Sequence, residues 1–375
     1  MKKKSAKFIV VLLVLAAAAA VVYFFAMDGK EAPSKSPIEF VNGIMDGSGT
    51  HEHELLGKYD SSDRSGAIYI IGTEEEADYL AGAFLDCDYF DNIDGRGKPD
   101  FLKDFSGETI CPVYNYFDFD GLNASGDDGA LREIAVRAVL AAMDTVCFVS
   151  PYDRKGLGRK PLANLIVLAN PYSSEKGQYD VDTLFSYFNC KVPVLNFVDL
   201  VVENSLAGAP RGAFNVGVID KWNGSAYAGR FAALSAGAGS GTVVNCFQPG
   251  TLPEGNTIVN FLDRYVQDGH SAKLDALIVN DPSLDVPALR DTLAGMTSAM
   301  NASSLSYGRL IADDIRVVDA REVLAKSVYR FLRRNNLFTH KVALPSRIDF
   351  MVLPKEEGSE ELRLMQYSKQ YIDKN

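Results

Sequence analysis

Two stretches of the chain place polar side chains directly after unbroken apolar runs. In the first, Leu165 to Ala169 leads into Asn170, Pro171, Tyr172, Ser173 and Ser174; in the second, Ala276 to Val279 leads into Asn280, Asp281, Pro282 and Ser283. An apolar run of that length, ending abruptly, reads as a buried parallel strand opening onto a polar loop, and ligands of open α/β sheets collect at such strand ends. Asn170, Ser173 and Ser283 offer hydrogen bonds to a small polar molecule, and helix starts after the two loops would add backbone N–H groups suited to a carboxylate. Asp281 adds a carboxylate that could carry a proton on one face of a substrate. Pro171 and Pro282 each remove one backbone donor. A Walker loop, a dinucleotide fingerprint and a metal ligand set are all missing from the sequence, so no cofactor is expected.

These two stretches resemble the active-site signatures of the aspartate/glutamate racemase superfamily, most closely glutamate racemase, in which one strand ends in Cys-Asn-Thr-Ala-Ser and a later one in Gly-Cys-Thr-His. Here Ala169 to Ser173 and Asn280 to Ser283 stand in those places, so Ala169 and Asp281 replace the two catalytic cysteines. Three further segments are similar to the same family in order: Val192 to Gly208, Val216 to Leu234, and Ile315 to Leu337. In the segment after Val216, Ser225 and Tyr227 keep a family turn of the type Thr-x-x-Ser-Gly-Ala-Tyr. The family's first signature, Asp-Ser-Gly-x-Gly-Gly, has two candidate placements, neither of which keeps the Asp-Ser-Gly triplet. One is Phe90-Asp91 followed by Gly95-Arg96-Gly97; the other is Ile71-Gly72-Thr73.

The resemblance implies an α/β fold of two Rossmann-like lobes related by a pseudo-twofold axis, with mainly parallel sheets and a cleft between them. The expected first lobe is 66–189 plus 307–375, and the second is 190–306. The family's chemistry sets a thiolate and a thiol on opposite faces of an amino acid. Alanine has no proton to give, and a carboxylate is a much weaker base than a thiolate. Cys147 and Cys246 sit in apolar strand contexts and read as buried thiols. Two-thiol racemisation is therefore not expected. Three readings follow: a pseudoenzyme that binds a small carboxylic acid, an amino acid or a protein partner in its cleft; an enzyme with one-face proton-transfer, lyase or hydrolase chemistry using Asp281 with Asp91 or Asp94; and a structural envelope-assembly protein whose cleft its own side chains fill. A homodimer is compatible with each.

The elements that would position these residues begin after an unusual start. Residues 1–7 hold four lysines, and Phe8 to Ala26 is nineteen residues without a charge, about the length needed to cross a hydrocarbon core. The expectation is a single transmembrane helix at 8–26. The lysines before it keep 1–7 cytoplasmic, and the rest of the chain lies outside, in the periplasm if the cell has one. A cleaved signal peptide is the competing reading, because Ala16 to Ala20 offers small residues. Residues 27–65, rich in Gly, Ser and Pro, read as a flexible linker, and His51-Glu52-His53 lacks the helical spacing of a zinc site.

Setting aside Lys2, Lys3, Lys4 and Lys7 takes the formal charge from -11 to -15 for the remainder, which argues against nucleic acid as a partner. The five cysteines form no CxxC pair, and their odd number leaves at least one thiol free within one chain. Strands are expected at 67–72, 110–119, 145–150, 165–169, 192–197, 216–220, 242–246, 274–279 and 315–319. Helices are expected at 74–85, 129–143, 181–189, 199–207, 256–267 and 321–336. Arg333 and Arg334 suit the carboxyl end of the last helix and read as a solvated end.

Overall fold

The computed structural model describes residues 36–59, 66–150, 153–222, 225–237, 241–250, 252–300, 309–339, 344–354 and 363–367. Residues 38–375 form one contact unit, built on two sheets. The expected membrane span at 8–26 lies outside the described residues, among which no helix is long and apolar enough to cross a membrane.

The first sheet has nine strands. Its centre is β1 (Ala67–Gly72), flanked in parallel by β2 (Thr109–Asn115) and β5 (Ala163–Leu168). Beyond β5 lies β6 (Val194–Asn196); beyond β2 lie β12 (Met351–Leu353), β13 (Met365–Gln366), β3 (Val146–Ser150) and the edge strand β4 (Asp153–Arg159), with β11 (Arg347–Ile348) also on β2. Every residue of β1 and of β5 is buried, as expected for strands covered on both faces. The second sheet is four-stranded and wholly parallel, in the order β10 (Ile311–Asp319), β9 (Leu274–Asn280), β7 (Gly212–Asp220), β8 (Thr242–Phe247).

Three hydrophobic layers hold these sheets. One face of the first sheet packs under α1 (Glu39–Asp46), α2 (His51–Lys58), α5 (Asp128–Met143) and α6 (Pro171–Phe188), through residues such as Val41, Leu56, Val139 and Val181. The other face shares a core with the second sheet. There Phe84 of α3 (Glu74–Asp86), Val201 of α7 (Phe197–Leu206), Phe231 of α8 (Ser225–Gly237) and Val328 of α11 (Ala320–Arg334) meet strand residues Ile70, Val216 and Ile278. The outer face of the second sheet is covered by α9 (Thr257–Gln267) and α10 (Val286–Met300), and the short α4 (Phe119–Ser125) packs on α5.

Four sequence expectations are corrected. The described part of the 27–65 linker, residues 36–59, is two packed helices, because Val41, Ile44 and Leu56 supply an apolar stripe that the core buries and Thr50 caps α2. His51 bonds Asp144 at 2.8 Å and His53 Nδ1 lies 2.9 Å from the carbonyl oxygen of Ile44, which accounts for both histidines without a metal. The last long strand, β10, pairs with β9, so the chain returns to the first sheet after α11 and not near residue 307; β6 likewise stays with the first sheet. The helix expected at 181–189 begins ten residues earlier, at Pro171, since Asn170 caps it and proline fits its first turn.

Candidate functional site

Each sheet has a switch point, where the first strand in sequence sits between the second and a later one, and crevices form at the carboxyl ends there. In the first sheet it lies between β1 and β5. β1 ends at Gly72, where an added Cβ would sit 3.0 Å from both Ala169 Cβ and Glu76 Oε2, so glycine lets the two strand ends close together. Thr73 and Glu76 then form a capping box: Glu76 Oε2 accepts the Thr73 backbone N–H at 2.8 Å and its hydroxyl at 3.0 Å. Asn170, 5% exposed, donates its amide to both Glu76 oxygens at 3.3 Å and accepts from the Tyr172 and Ser173 backbone N–H groups at 3.2 Å. Burial raises the Glu76 carboxyl above the usual carboxylate range, with Asp220 adding to the effect.

In the second sheet the switch point lies between β7 and β9. Asp220, the last residue of β7, accepts the Trp222 backbone N–H at 2.8 Å and the Asn280 amide at 2.6 Å. Asp281 accepts the backbone N–H and the hydroxyl of Ser283 at 2.8 and 2.6 Å, closing its own turn.

The two switch points meet, and the residues after β7 close the space between them. Lys221 pairs with Glu75 at 2.8 Å and holds that carboxyl below its usual range. The Trp222 ring lies 5.4 Å from that of Tyr79, with its indole N–H 3.4 Å from Glu75. The Arg321 guanidinium also lies over the Tyr79 ring, 4.8 Å from its centroid. What is left at the centre is a cavity of about 10 Å³ lined by Glu76, Ala169, Phe197, Trp222 and Asn280, room for about one water molecule. A larger cavity of about 760 Å³ opens on the far side of Trp222, over the ends of β7, β8 and β9, where Lys221, Cys246, Gln248, Asp281 and Ser283 line it.

The sequence-derived residues are thus divided. Ala169 reaches the small cavity together with Asn280, while Asp281 and Ser283 line the large one. Asn170 and Ser173 are buried in the start of α6. Ser225 is the first residue of α8, and its side chain lies outside the described residues. Asp91 lines neither cavity: it accepts the Ile93 and Asp94 backbone N–H groups, which hold its carboxyl below the usual range, and the loop it shapes is held by Arg333 on the Asn92 and Ile93 carbonyls. Arg333 is therefore a loop anchor and not a solvated helix end. Of the two placements weighed for the family's first signature, it is Ile71-Gly72-Thr73 that lies beside Ala169.

Glu76 and Trp222 were missed as site residues. The Thr73-x-x-Glu76 spacing signals a helix start, but nothing in it signals burial against β9. Chemically, Glu76 is the one titratable residue among the described residues lining the small cavity. All five cysteines are free; Cys246 lines the large cavity, but burial pushes its thiol up to about 12, which keeps it protonated at neutral pH. Among the described residues no group of histidine, cysteine, aspartate or glutamate could hold a metal ion.

No family model and no curated protein matches the chain. Solved structures similar to it include glutamate racemase isoform RacE1 from Bacillus anthracis, at 9% identity over 80% of this chain and 91% of that one, with a TM-score of 0.44. Another is glutamate racemase from Francisella tularensis subsp. tularensis SCHU S4 in complex with D-glutamate, at 12% identity over 78% and 90% of the two chains and a TM-score of 0.45. An aspartate racemase homologue from Pyrococcus horikoshii OT3 is 15% identical over 72% of this chain and 99% of that one, with a TM-score of 0.36.

Proposed function

We propose that this chain is a membrane-tethered, extracytoplasmic racemase-like protein that does not interconvert amino-acid enantiomers and instead binds a small carboxylic acid or amino acid. The observation that carries this reading is the separation of the two positions that stand for the family's cysteines: Ala169 lines a cavity of about 10 Å³, while Asp281 lines a different one. Racemisation needs two proton carriers on opposite faces of one carbon; Ala169 has no proton to give, and Asp281 could serve one face only. The space for a ligand lies instead over the second sheet, where Lys221, paired with Glu75, has further N–H donors for a carboxylate, and Asp281 and Ser283 offer acceptors to an amino group.

The test has two parts. Incubation with D- or L-glutamate and aspartate in deuterated water is expected to leave the α-proton unexchanged, and thermal-shift titration with amino acids and dicarboxylic acids is expected to stabilise the protein. Inversion of either enantiomer would overturn the first half; no shift with any acid or amino acid would overturn the second.

One observation favours a second reading, that of an envelope-assembly protein: the space between the two switch points is filled by the chain's own Trp222 and Phe197. Under that reading the large cavity binds no small molecule, and the protein is recovered with a protein partner after crosslinking in intact cells.

A further inference from the structure

Among the described residues, the two most exposed large apolar side chains share one loop, the stretch between α3 and β2: Phe101 is 100% exposed and Ile93 89%, with Leu102 exposed beside them. The loop that carries them is braced from within. Asp88 accepts the backbone N–H groups of Asp100 and Phe101, Asp100 those of Asn92 and Leu102, Asp91 those of Ile93 and Asp94, and Asp104 those of Tyr89 and Phe90. The Asn92 amide bonds the carbonyls of Leu102 and Lys103 at 3.3 and 3.1 Å, which brings the Ile93 segment beside that of Phe101 and Leu102. Phe101 also holds a φ of +70°, a strained backbone for an aromatic residue. Its ring is not buried, so no packing within the chain offsets that strain. The loop leads into Thr109, the start of β2, and so stands at the amino ends of the first sheet's strands, away from the carboxyl ends where the cavities described above open. Tyr59, directly after α2, bonds the carbonyl of Ala163 at the start of β5, at that same end.

We propose that Ile93, Phe101 and Leu102 form a knuckle that inserts into a phospholipid bilayer and seats the folded body on the membrane. This rests on the membrane-tethered reading above and adds to it the surface that faces the lipid. Under that reading only residues 27–35 lie between the apolar run and Ser36, a reach of about 30 Å at full extension, so a bilayer is always within range and even a weak contact is well populated. Three protruding side chains are too few for a stable protein interface, which takes roughly 20–30 residues a side; they suffice to anchor a body that is already tethered. Arg96, which also pairs with Asp94, and Lys98 lie exposed on the same loop, and their long side chains reach phosphate groups. The bracing aspartates are turned onto backbone N–H groups instead. Seated this way, the cavities at the carboxyl ends of the strands open toward solvent.

The test uses the full-length chain reconstituted into phosphatidylcholine vesicles, plain or brominated near the top of the acyl chains, since bromine quenches tryptophan on contact. Wild type, with Trp222 as its single tryptophan, supplies the background emission. Phe101→Trp adds a reporter at the knuckle, and Tyr187→Trp adds one at an exposed position of α6, on the opposite face of the first sheet. Loss of emission in brominated vesicles is expected for Phe101→Trp and not for wild type or Tyr187→Trp. In intact cells, a photocrosslinker at position 101 is expected to capture lipid. Flotation of the chain with the vesicles tests the tether separately. A chain that floats while Phe101→Trp emits equally in both vesicles overturns the knuckle and leaves the tether standing, and a protein adduct at position 101 assigns the surface to a protein partner instead. A chain that does not float overturns both.

Discussion

Arg132 and Asp180 join α5 to α6 through a two-pronged ion pair, Nε to Oδ2 at 2.6 Å and Nη2 to Oδ1 at 2.9 Å, and the Asp180 side chain is wholly buried. The same carboxylate accepts the backbone N–H of Ile38 at 3.2 Å, just before α1. One aspartate therefore ties three segments. Removing it breaks an ion pair whose carboxylate is fully buried, a change that costs about 3–5 kcal/mol. Asp180→Ala is expected to lose that much in urea unfolding and to expose α1 to proteases in the native state. Unchanged protection of α1 would show that its apolar face alone holds it.

That apolar face is the second test. Leu56 is 2% exposed against the core of the first sheet, and truncating a buried leucine costs about 2–5 kcal/mol. Leu56→Ala should fall in that range by denaturant midpoint. A loss under about 0.5 kcal/mol, the level of ordinary surface changes, would mean that the segment before β1 behaves as the tether its composition suggested.

The reading of that segment shows what composition hides. Gly, Ser and charge around Ile38 to Lys58 argued for a linker, whereas the folding information lay in three apolar residues that only a helix brings to one face. The central strands were legible because β1, β5 and β9 are buried on both sides and so read as apolar runs. The placement of β10 was not: a parallel strand carries no mark of which sheet it joins, and the pairing with β9 is long-range. At the site, the motifs placed Ala169 and Asp281 at strand ends, but the split that sends them to different cavities and the closure between them were not legible. Closure depends on Trp222 meeting Tyr79 and on Lys221 meeting Glu75, contacts between residues nearly 150 positions apart that carry no local pattern.

Restoring the family's thiols is a sharper test than their absence. Ala169→Cys with Asp281→Cys is expected to remain without racemase activity, because Ala169 faces about 10 Å³ and Asp281 lines a different cavity. Appearance of D-glutamate from L-glutamate, followed by circular dichroism, would mean that the two positions still face one substrate. The added sulfur at residue 169 is expected to cost about 1–3 kcal/mol through overpacking, visible as a lower urea midpoint.

Glu76 makes stability depend on pH with a definite sign. Its folded pKa is raised by burial above the unfolded value, so over that interval the folded protein keeps a proton that the unfolded chain has released. The stabilising contribution is complete below about pH 4.3 and is lost as pH rises through the folded pKa. Glu76→Gln removes this titration. Wild type should therefore lose stability relative to Glu76→Gln as pH rises from about 4 to 7, measured as the difference between their urea midpoints at each pH. A constant difference would show that the carboxyl ionises alike in both states.

The second sheet is nested inside the first. Its four strands are contiguous along the chain, from Gly212 to Asp319, while the first sheet spends residues 67–196 before them and completes itself only with β12, laid against β2, and β13, which joins β12 to β3. During synthesis the second sheet can close while the first is still in two pieces. The β3–β4 hairpin waits for β13, more than 200 residues later, to give it a neighbour. Such pairings are slow to form and leave open strand edges in the interval. The order of emergence thus makes the last strands a timing device, and the half-built sheet is the stage at which this chain most needs protection from aggregation.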